Sequence, residues 1–199
     1  LTVDRNGILM PKASIVKQFD GSITFGYVGG NTPIKGSDLV LKAFSNVNNS
    51  KAFLRIVDNM INLGHKSYPD HVVSSINNCT IVPGYNQNNI DDFFESIDVL
   101  LFPSRCKESF GLTVREAIAR NVWVITTDSG GVTECIIEGE NGNVIPFSSD
   151  SKKLENAINN VITHYETLKL GDDIDLPKDS IAYFNDQVDN LDGIYKLYL

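Results

Sequence analysis

Two glutamates stand eight residues apart in Pro103-Ser-Arg-Cys-Lys-Glu108-Ser-Phe-Gly111-Leu-Thr-Val-Arg-Glu116. Helical spacing begins near Leu112, so Glu108 falls on the approach loop. Glu116 falls about one turn in, roughly 6 Å along the axis. Between them Phe110, Gly111 and Leu112 offer backbone N–H groups that have no partner inside the helix. A ligand across this helix start would meet N–H donors in its middle and a carboxylate at each end. Carboxylates repel phosphate, so each suits a neutral pair of hydroxyls, which sugars supply. The shape implied is sugar, diphosphate, ribose. The plainer reading is a helix with two surface glutamates.

A second element is Gly29-Gly30-Asn-Thr-Pro-Ile-Lys35-Gly36-Ser37. Two glycines let backbone come close to a partner, and a lysine stands just before a helix start. Free N–H groups, the helix dipole and an ammonium make an anion site. The order Lys-Gly excludes a Walker A loop, and G-x-G-x-x-G is absent. The alternative is a simple βα turn with a solvated lysine. A third element, Thr127-Asp-Ser-Gly130-Gly131-Val-Thr-Glu134, follows a strand and reads either as a further contact loop or as a glycine turn.

The elements that must position these residues alternate from residue 23 onward. Runs rich in β-branched and aromatic residues predict strands at 23–28, 52–57, 80–82, 99–102, 122–126 and 143–146. Helical spacing predicts helices after Ser37 as N-cap, weakly over 69–76, after Asn89, over 112–120, briefly over 133–137, and from a Ser149 cap to about Leu168. An acidic linker, 171–178, precedes a last apolar stripe at Ile181, Phe184, Val188, Leu191 and Tyr195. Strands separated by crossover helices predict an α/β fold with a parallel sheet and helices on both faces. Ligands of such sheets sit outside the carboxyl ends of the strands, which is where all three glycine-bearing loops fall.

Composition bounds the rest. The 199 residues are 42% hydrophobic and 21% charged, as in a folded domain, with no apolar stretch of membrane-spanning length. A net charge of −8 argues against a nucleic-acid partner, which wants a basic face. Three cysteines without C-x-x-C spacing argue against a disulfide framework or a zinc ribbon and for a reducing, cytoplasmic setting. The three histidines form no metal motif, so no metal is expected. The opening Leu1-Thr-Val-Asp-Arg-Asn6 lacks the features of a signal peptide and reads as an internal cut.

Lys35-Gly36, Pro103-Ser104, Glu108-Ser-Phe-Gly-Leu-Thr-Val-Arg-Glu116-Ala and Gly130-Gly131-Val-Thr-Glu134, in this order and spacing, resemble the C-terminal domain of retaining glycosyltransferase family 4, among the glycosyl transferases group 1. The resemblance runs from about residue 20 to 199. It implies a Rossmann-like domain, one half of a two-domain B-type (GT-B) fold. It also implies a nucleotide-diphosphate sugar as donor, retaining transfer in polysaccharide or glycoconjugate synthesis, no cofactor and no metal.

By the same resemblance Lys35 would neutralise the departing diphosphate and Glu108 would face the donor sugar. Phe110, Gly111 and Leu112, flanked by Ser109 and Thr113, would supply contacts to phosphate or sugar. Glu116 would hold the ribose hydroxyls, and Gly84 and Tyr85 would border the nucleobase. Gly29, Gly30, Gly130 and Gly131 complete the donor-binding set. Residues 1–20 would be an interdomain linker and 21–178 the donor domain. Residues 179–199 would be a helix packed toward an N-terminal domain that binds a saccharide, lipid-linked or protein acceptor. The chain alone would be inactive, and the full protein could associate peripherally with the inner membrane face.

Gly30 departs from the Arg that many members carry, so one diphosphate cation is missing, with Arg105 or Lys107 as candidate substitutes. Asn121 and Trp123 stand for the common Gly and Pro. A non-catalytic nucleotide-sugar-binding module working with a partner chain is the alternative function. An epimerase lacks a placed acid and base, and a dehydrogenase lacks its glycine fingerprint.

Overall fold

The computed structural model describes residues 6–12, 20–148, 150–165 and 181–196. A six-stranded sheet forms its centre. In chain order the strands are β2 (Ile23–Tyr27), β3 (Ala52–Asp58), β4 (Cys79–Pro83), β5 (Val99–Phe102), β6 (Trp123–Thr127) and β7 (Gly142–Ile145). They lie side by side as β4-β3-β2-β5-β6-β7, and every pairing is parallel. The order reverses between β2 and β5, where a crevice opens at the strand ends in doubly wound sheets. Gly29-Gly30 and the loop after Phe102 leave the sheet from these two neighbours.

The strands read as near-continuous apolar runs because both sheet faces are buried. Phe25, Tyr27, Leu54, Ile56, Leu101 and Ile125 pack on one face, against Leu39, Val40 and Phe44 of α1 (Ser37–Phe44) and Leu154, Ile158 and Val161 of α5 (Ser151–His164). Leu100, Val124 and Val57 pack on the other. They meet Phe93 and Phe94 of α3 (Ile90–Glu95) and Val114, Ala117 and Ile118 of α4 (Leu112–Ile118). A short α2 (Asp70–Ser74) covers the outer edge next to β4.

Several local expectations shift. Ser37 is not the cap of α1 but its first residue, and Gly36 caps it at φ +81°. A Cβ on Gly36 would lie 2.3 Å from the Pro103 carbonyl oxygen, so only glycine lets the Lys35 turn sit this close to the loop after β5. Asn89 precedes α3, but its side chain accepts from Asn86 N–H rather than from the helix. Asp150 caps α5 through Lys152 N–H; Ser149, Leu168 and the 171–178 linker lie outside the described residues. Asn121 takes a left-handed φ of +56°, which asparagine tolerates better than most residues. Trp123 is fully buried, and its indole N–H donates to Asn143 Oδ1 at 3.1 Å.

The sequence pattern missed a second, two-stranded pairing. β1 (Gly7–Ile8) runs parallel to β8 (Ala182–Tyr183), which leads into α6 (Phe184–Lys196). Gly7 approaches Phe184 so closely that a Cβ would sit 2.5 Å from its Cα. The buried Arg120 guanidinium ties this segment down, donating to the Leu9 carbonyl at 3.2 Å and to Asp91 Oδ1 at 2.7 Å. Among the described residues, no helix is long and apolar enough to cross a membrane.

Candidate functional site

Two cavities adjoin the start of α4. The first, about 320 Å³, is lined by Lys35, Glu108, Gly29 and the run Ser109-Phe-Gly-Leu-Thr113, with Asn6, Val28 and Phe102 completing the wall. The second, about 310 Å³, is lined by Glu116, Tyr85 and Leu112, with Asn86, Gln87 and Ile90 on one side and Gly7, Ile8, Leu9 and Phe184 on another. Leu112 walls both, so the helix start lies between a cavity holding Glu108 and one holding Glu116. That is the arrangement expected from the eight-residue spacing.

Lys35 and Glu108, 73 positions apart in the chain, meet at the first cavity. Nζ of Lys35 donates to Oε1 of Glu108 at 2.7 Å. The same oxygen accepts from Ser104 Oγ at 2.6 Å and from the Cys106 thiol at 3.4 Å. Oε2 accepts no hydrogen bond among the described residues. Burial pushes the Glu108 carboxyl up, but the three donors outweigh it and hold the group below the usual carboxylate range. The Glu108 hydrogen bond in turn raises the Lys35 ammonium. Both side chains are therefore ionised at neutral pH.

The loop that carries Glu108 is fixed by its backbone. Glu108 N–H donates to Ser129 O at 2.7 Å, and Gly131 N–H donates to Glu108 O at 2.9 Å. A Cβ on Gly131 would lie 2.1 Å from Ser109 O, so glycine is required by this close approach. Gly130 and Gly131 thus brace the Glu108 loop from behind and do not line either cavity. Arg115 completes the brace. Its buried guanidinium sits 3.5 Å from the Phe110 ring centroid and donates to Gly131 O at 3.3 Å. Backbone N–H groups of Phe110, Gly111 and Leu112 take no acceptor among the described residues.

In the second cavity Glu116 is half-buried. Burial pushes its carboxyl above the usual range, with Arg120 pulling the other way. Its carboxylate accepts no hydrogen bond among the described residues. Tyr85 stacks on Phe93 at 4.9 Å between centroids, and burial together with the Glu116 charge pushes its phenol up.

Most of the residues singled out in the sequence thus gather at the two cavities. Gly30 and Gly84 do not line them. Gly30 O accepts from the Tyr27 hydroxyl, and Gly84 packs on Asn59 and Asn62 one residue before Tyr85. Neither candidate substitute for the missing arginine reaches the first cavity. Arg105 is committed to Pro33 O and to Asp38, and Lys107 lies over the Phe147 ring at 5.8 Å. The contacts of Ser104 and Cys106 with Glu108 and the wall lent by β1 were missed, because each is made with a tertiary neighbour; Pro103-Ser104 entered only as part of the resemblance, with no role assigned. Among the described residues no three His, Cys, Asp or Glu side chains cluster as metal ligands.

The family model "Glycosyl transferases group 1" matches residues 12–170. The chain belongs to this family. Among curated relatives it is 26% identical over 151 residues to the lipopolysaccharide 1,2-N-acetylglucosaminetransferase of Salmonella typhimurium, covering 70% of this chain and 39% of that protein. The chain spans about a third to two fifths of the length of the curated relatives it matches. Among solved structures it is similar to the apo lipopolysaccharide outer core galactosyltransferase WaaB, at TM-score 0.71 and 17% identity, over 100% of this chain and 56% of that one. It is similar to Anabaena HepE in complex with UDP and glucose, at TM-score 0.61 and 18% identity over 75% and 41%. A third neighbour is the C-terminal domain of a Francisella tularensis group 1 glycosyl transferase, at TM-score 0.59 and 18% identity over 72% and 77%. These likenesses place the fold of this glycosyltransferase group 1 domain among the Rossmann-like halves of GT-B enzymes.

Proposed function

We propose that this domain is the C-terminal, donor-binding half of a retaining, metal-independent family 4 glycosyltransferase. Residues 21–178 would form the donor body. The ends, 1–20 and 179–199, would lead to an N-terminal domain that carries the acceptor. The donor is a nucleotide-diphosphate sugar, and the product a polysaccharide or glycoconjugate. Supporting this are the chain's share of its relatives' length, the isolated C-terminal domain among its neighbours, and UDP in the HepE structure.

The observation that carries the reading is the asymmetry of Glu108. One carboxylate oxygen is saturated by Lys35, Ser104 and Cys106, and the other accepts no hydrogen bond among the described residues, on a side chain that lines the cavity. The open oxygen accepts hydroxyls of the donor sugar. Lys35 stands beside it and turns to the diphosphate, joined by the amides of Phe110 to Leu112. Glu116, open and half-buried in the next cavity, accepts the two ribose hydroxyls, and Tyr85 borders the base.

As the bond from the sugar's anomeric carbon to the diphosphate oxygen breaks, negative charge grows on the leaving group and positive charge on the sugar. Lys35 and the amides meet the first. The open oxygen of Glu108 lies beside the second.

The test is a thermal-shift panel of UDP, GDP, ADP and CDP, with and without their sugars, on this chain. A ligand at a hundredfold its Kd adds about 2.7 kcal/mol. At least one sugar nucleotide should raise Tm by several degrees, and no transfer should occur. A panel without any shift refutes the donor site, and transfer by this chain alone refutes the division of labour.

A further inference from the structure

The three donors that meet Oε1 of Glu108 differ in how firmly each is held. Lys35 reaches it from the end of a four-carbon stem, and that side chain is 36% exposed. Ser104 reaches it at 2.6 Å from a residue that is 1% exposed, and a serine side chain has little rotamer freedom to lose. Backbone contacts pin Ser104 on both sides. Its N–H donates to Phe102 O at 2.9 Å, and its carbonyl accepts from the buried Thr127 hydroxyl at 2.6 Å, at the end of β6. The Cys106 thiol is the weakest of the three. It lies 3.4 Å from Oε1 and 3.2 Å from Ser104 Oγ, so its one proton has two acceptors in reach.

The function proposed above sends Lys35 to the diphosphate. Glu108 then loses its ammonium, and burial favours the protonated carboxyl. Protonation turns an acceptor of sugar hydroxyls into a donor. Among the described residues the titratable groups that meet Glu108 are Lys35 and Cys106, so Ser104 is the one short, fixed donor that remains when Lys35 has left. Ser104 does not itself line the cavity.

Resting on that function, we infer that Ser104 is a positioning residue, which keeps Glu108 aimed at the donor sugar while Lys35 is engaged with the diphosphate. It acts through Glu108 and touches no substrate.

Lys35→Met imitates the departure of the ammonium without any ligand. In ligand-free chain carrying that substitution, Ser104→Ala should move the ¹³C titration of the Glu108 carboxyl to higher pH. An unmoved midpoint overturns the proposal. The second readout uses whichever of UDP, GDP, ADP and CDP the thermal panel selects, together with its sugar. Ser104→Ala should lower the affinity ratio of sugar nucleotide to nucleoside diphosphate roughly two- to tenfold, the worth of one weakened hydrogen bond. The nucleoside diphosphate itself should bind as before. Nucleotide binding with an unchanged ratio sinks the role of Ser104 alone. No binding of any of the four by the wild-type chain sinks the donor reading and this role with it. Should Ser104→Ala fail to fold, Ser104→Cys, which keeps the shape and weakens the donor, should shift both readouts in the same directions.

Discussion

Lys35 Nζ and Glu108 Oε1 lie 2.7 Å apart at the mouth of the switch point, although 73 positions separate them in the chain. The contact holds together the cation and the carboxylate of the proposed donor site. On the proposed reading a bound diphosphate would draw Lys35 away from Glu108, whereas Glu116 has no such cation to lose among the described residues, so substitutions at the two glutamates are predicted to act differently.

Glu108→Gln separates the phosphate and sugar contributions. The substitution removes the carboxylate that competes for Lys35. UDP alone should bind equally well or a few-fold tighter. The extra affinity of the sugar nucleotide over UDP should shrink, by roughly two- to tenfold for each neutral-strength hydrogen bond weakened. Calorimetric titration of both ligands on both proteins reads the difference. A parallel loss for UDP and its sugar would show that Glu108 does not face the sugar.

Lys35→Ala should weaken every nucleoside diphosphate by roughly ten- to a hundredfold, the worth of a charged hydrogen bond. It should leave a nucleoside without phosphate unaffected. Loss of uridine binding in that variant would relocate the role of Lys35. In the full-length enzyme turnover should fall at least as far.

Glu116→Gln should gain stability and lose affinity. The raised carboxyl of Glu116 favours the folded state most at acid pH, below its unfolded value. That contribution is lost as pH rises through the folded value, leaving a half-buried charge at neutrality. The neutral glutamine should therefore raise the Tm of the ligand-free chain near pH 7, with the gain vanishing as pH falls below the usual carboxylate range. Affinity for UDP should fall about tenfold or more as the ribose loses its charged acceptor. Melting curves from pH 4 to pH 8, with and without UDP, measure both effects.

Glu108 has the opposite sign. Its lowered carboxyl contributes stability that is present above the unfolded value and lost as pH falls through the folded one. Glu108→Gln should flatten the acid limb of the same curves.

Gly131→Ala tests the brace behind the site. Its methyl group would press on the Ser109 carbonyl, and both are backbone-fixed. A cost of about 2–3 kcal/mol, or roughly 5–10 °C in Tm, is expected. Unchanged Tm would mean that the Glu108 loop moves freely from the 130 loop.

Much of this was legible in the chain because a parallel sheet buried on both sides writes itself as apolar runs, as in Val99 to Phe102. The spacing of Glu108 and Glu116 placed them on either side of one helix start because a helix rises by a fixed step. Cys106 gave no signal, and Ser104 stood in a motif without a role. Their role is set by where the loop after β5 folds back on Glu108. Ser37 reads as the cap of α1, although Gly36 takes that place and contact with Pro103 is what demands a glycine there. Two-residue strands such as Gly7–Ile8 carry too little periodicity to be read, so the wall they lend to the Glu116 cavity gave no signal.

The most direct measurement is a ¹⁵N amide titration of this chain with UDP and then with the sugar nucleotide that the thermal panel selects. The largest shifts should fall on Phe110, Gly111 and Leu112, with Tyr85 and Glu116 moving at the first step and Glu108 only when the sugar is present. Shifts centred on another edge of the sheet, with the amides from Phe110 to Leu112 unmoved, would contradict the account.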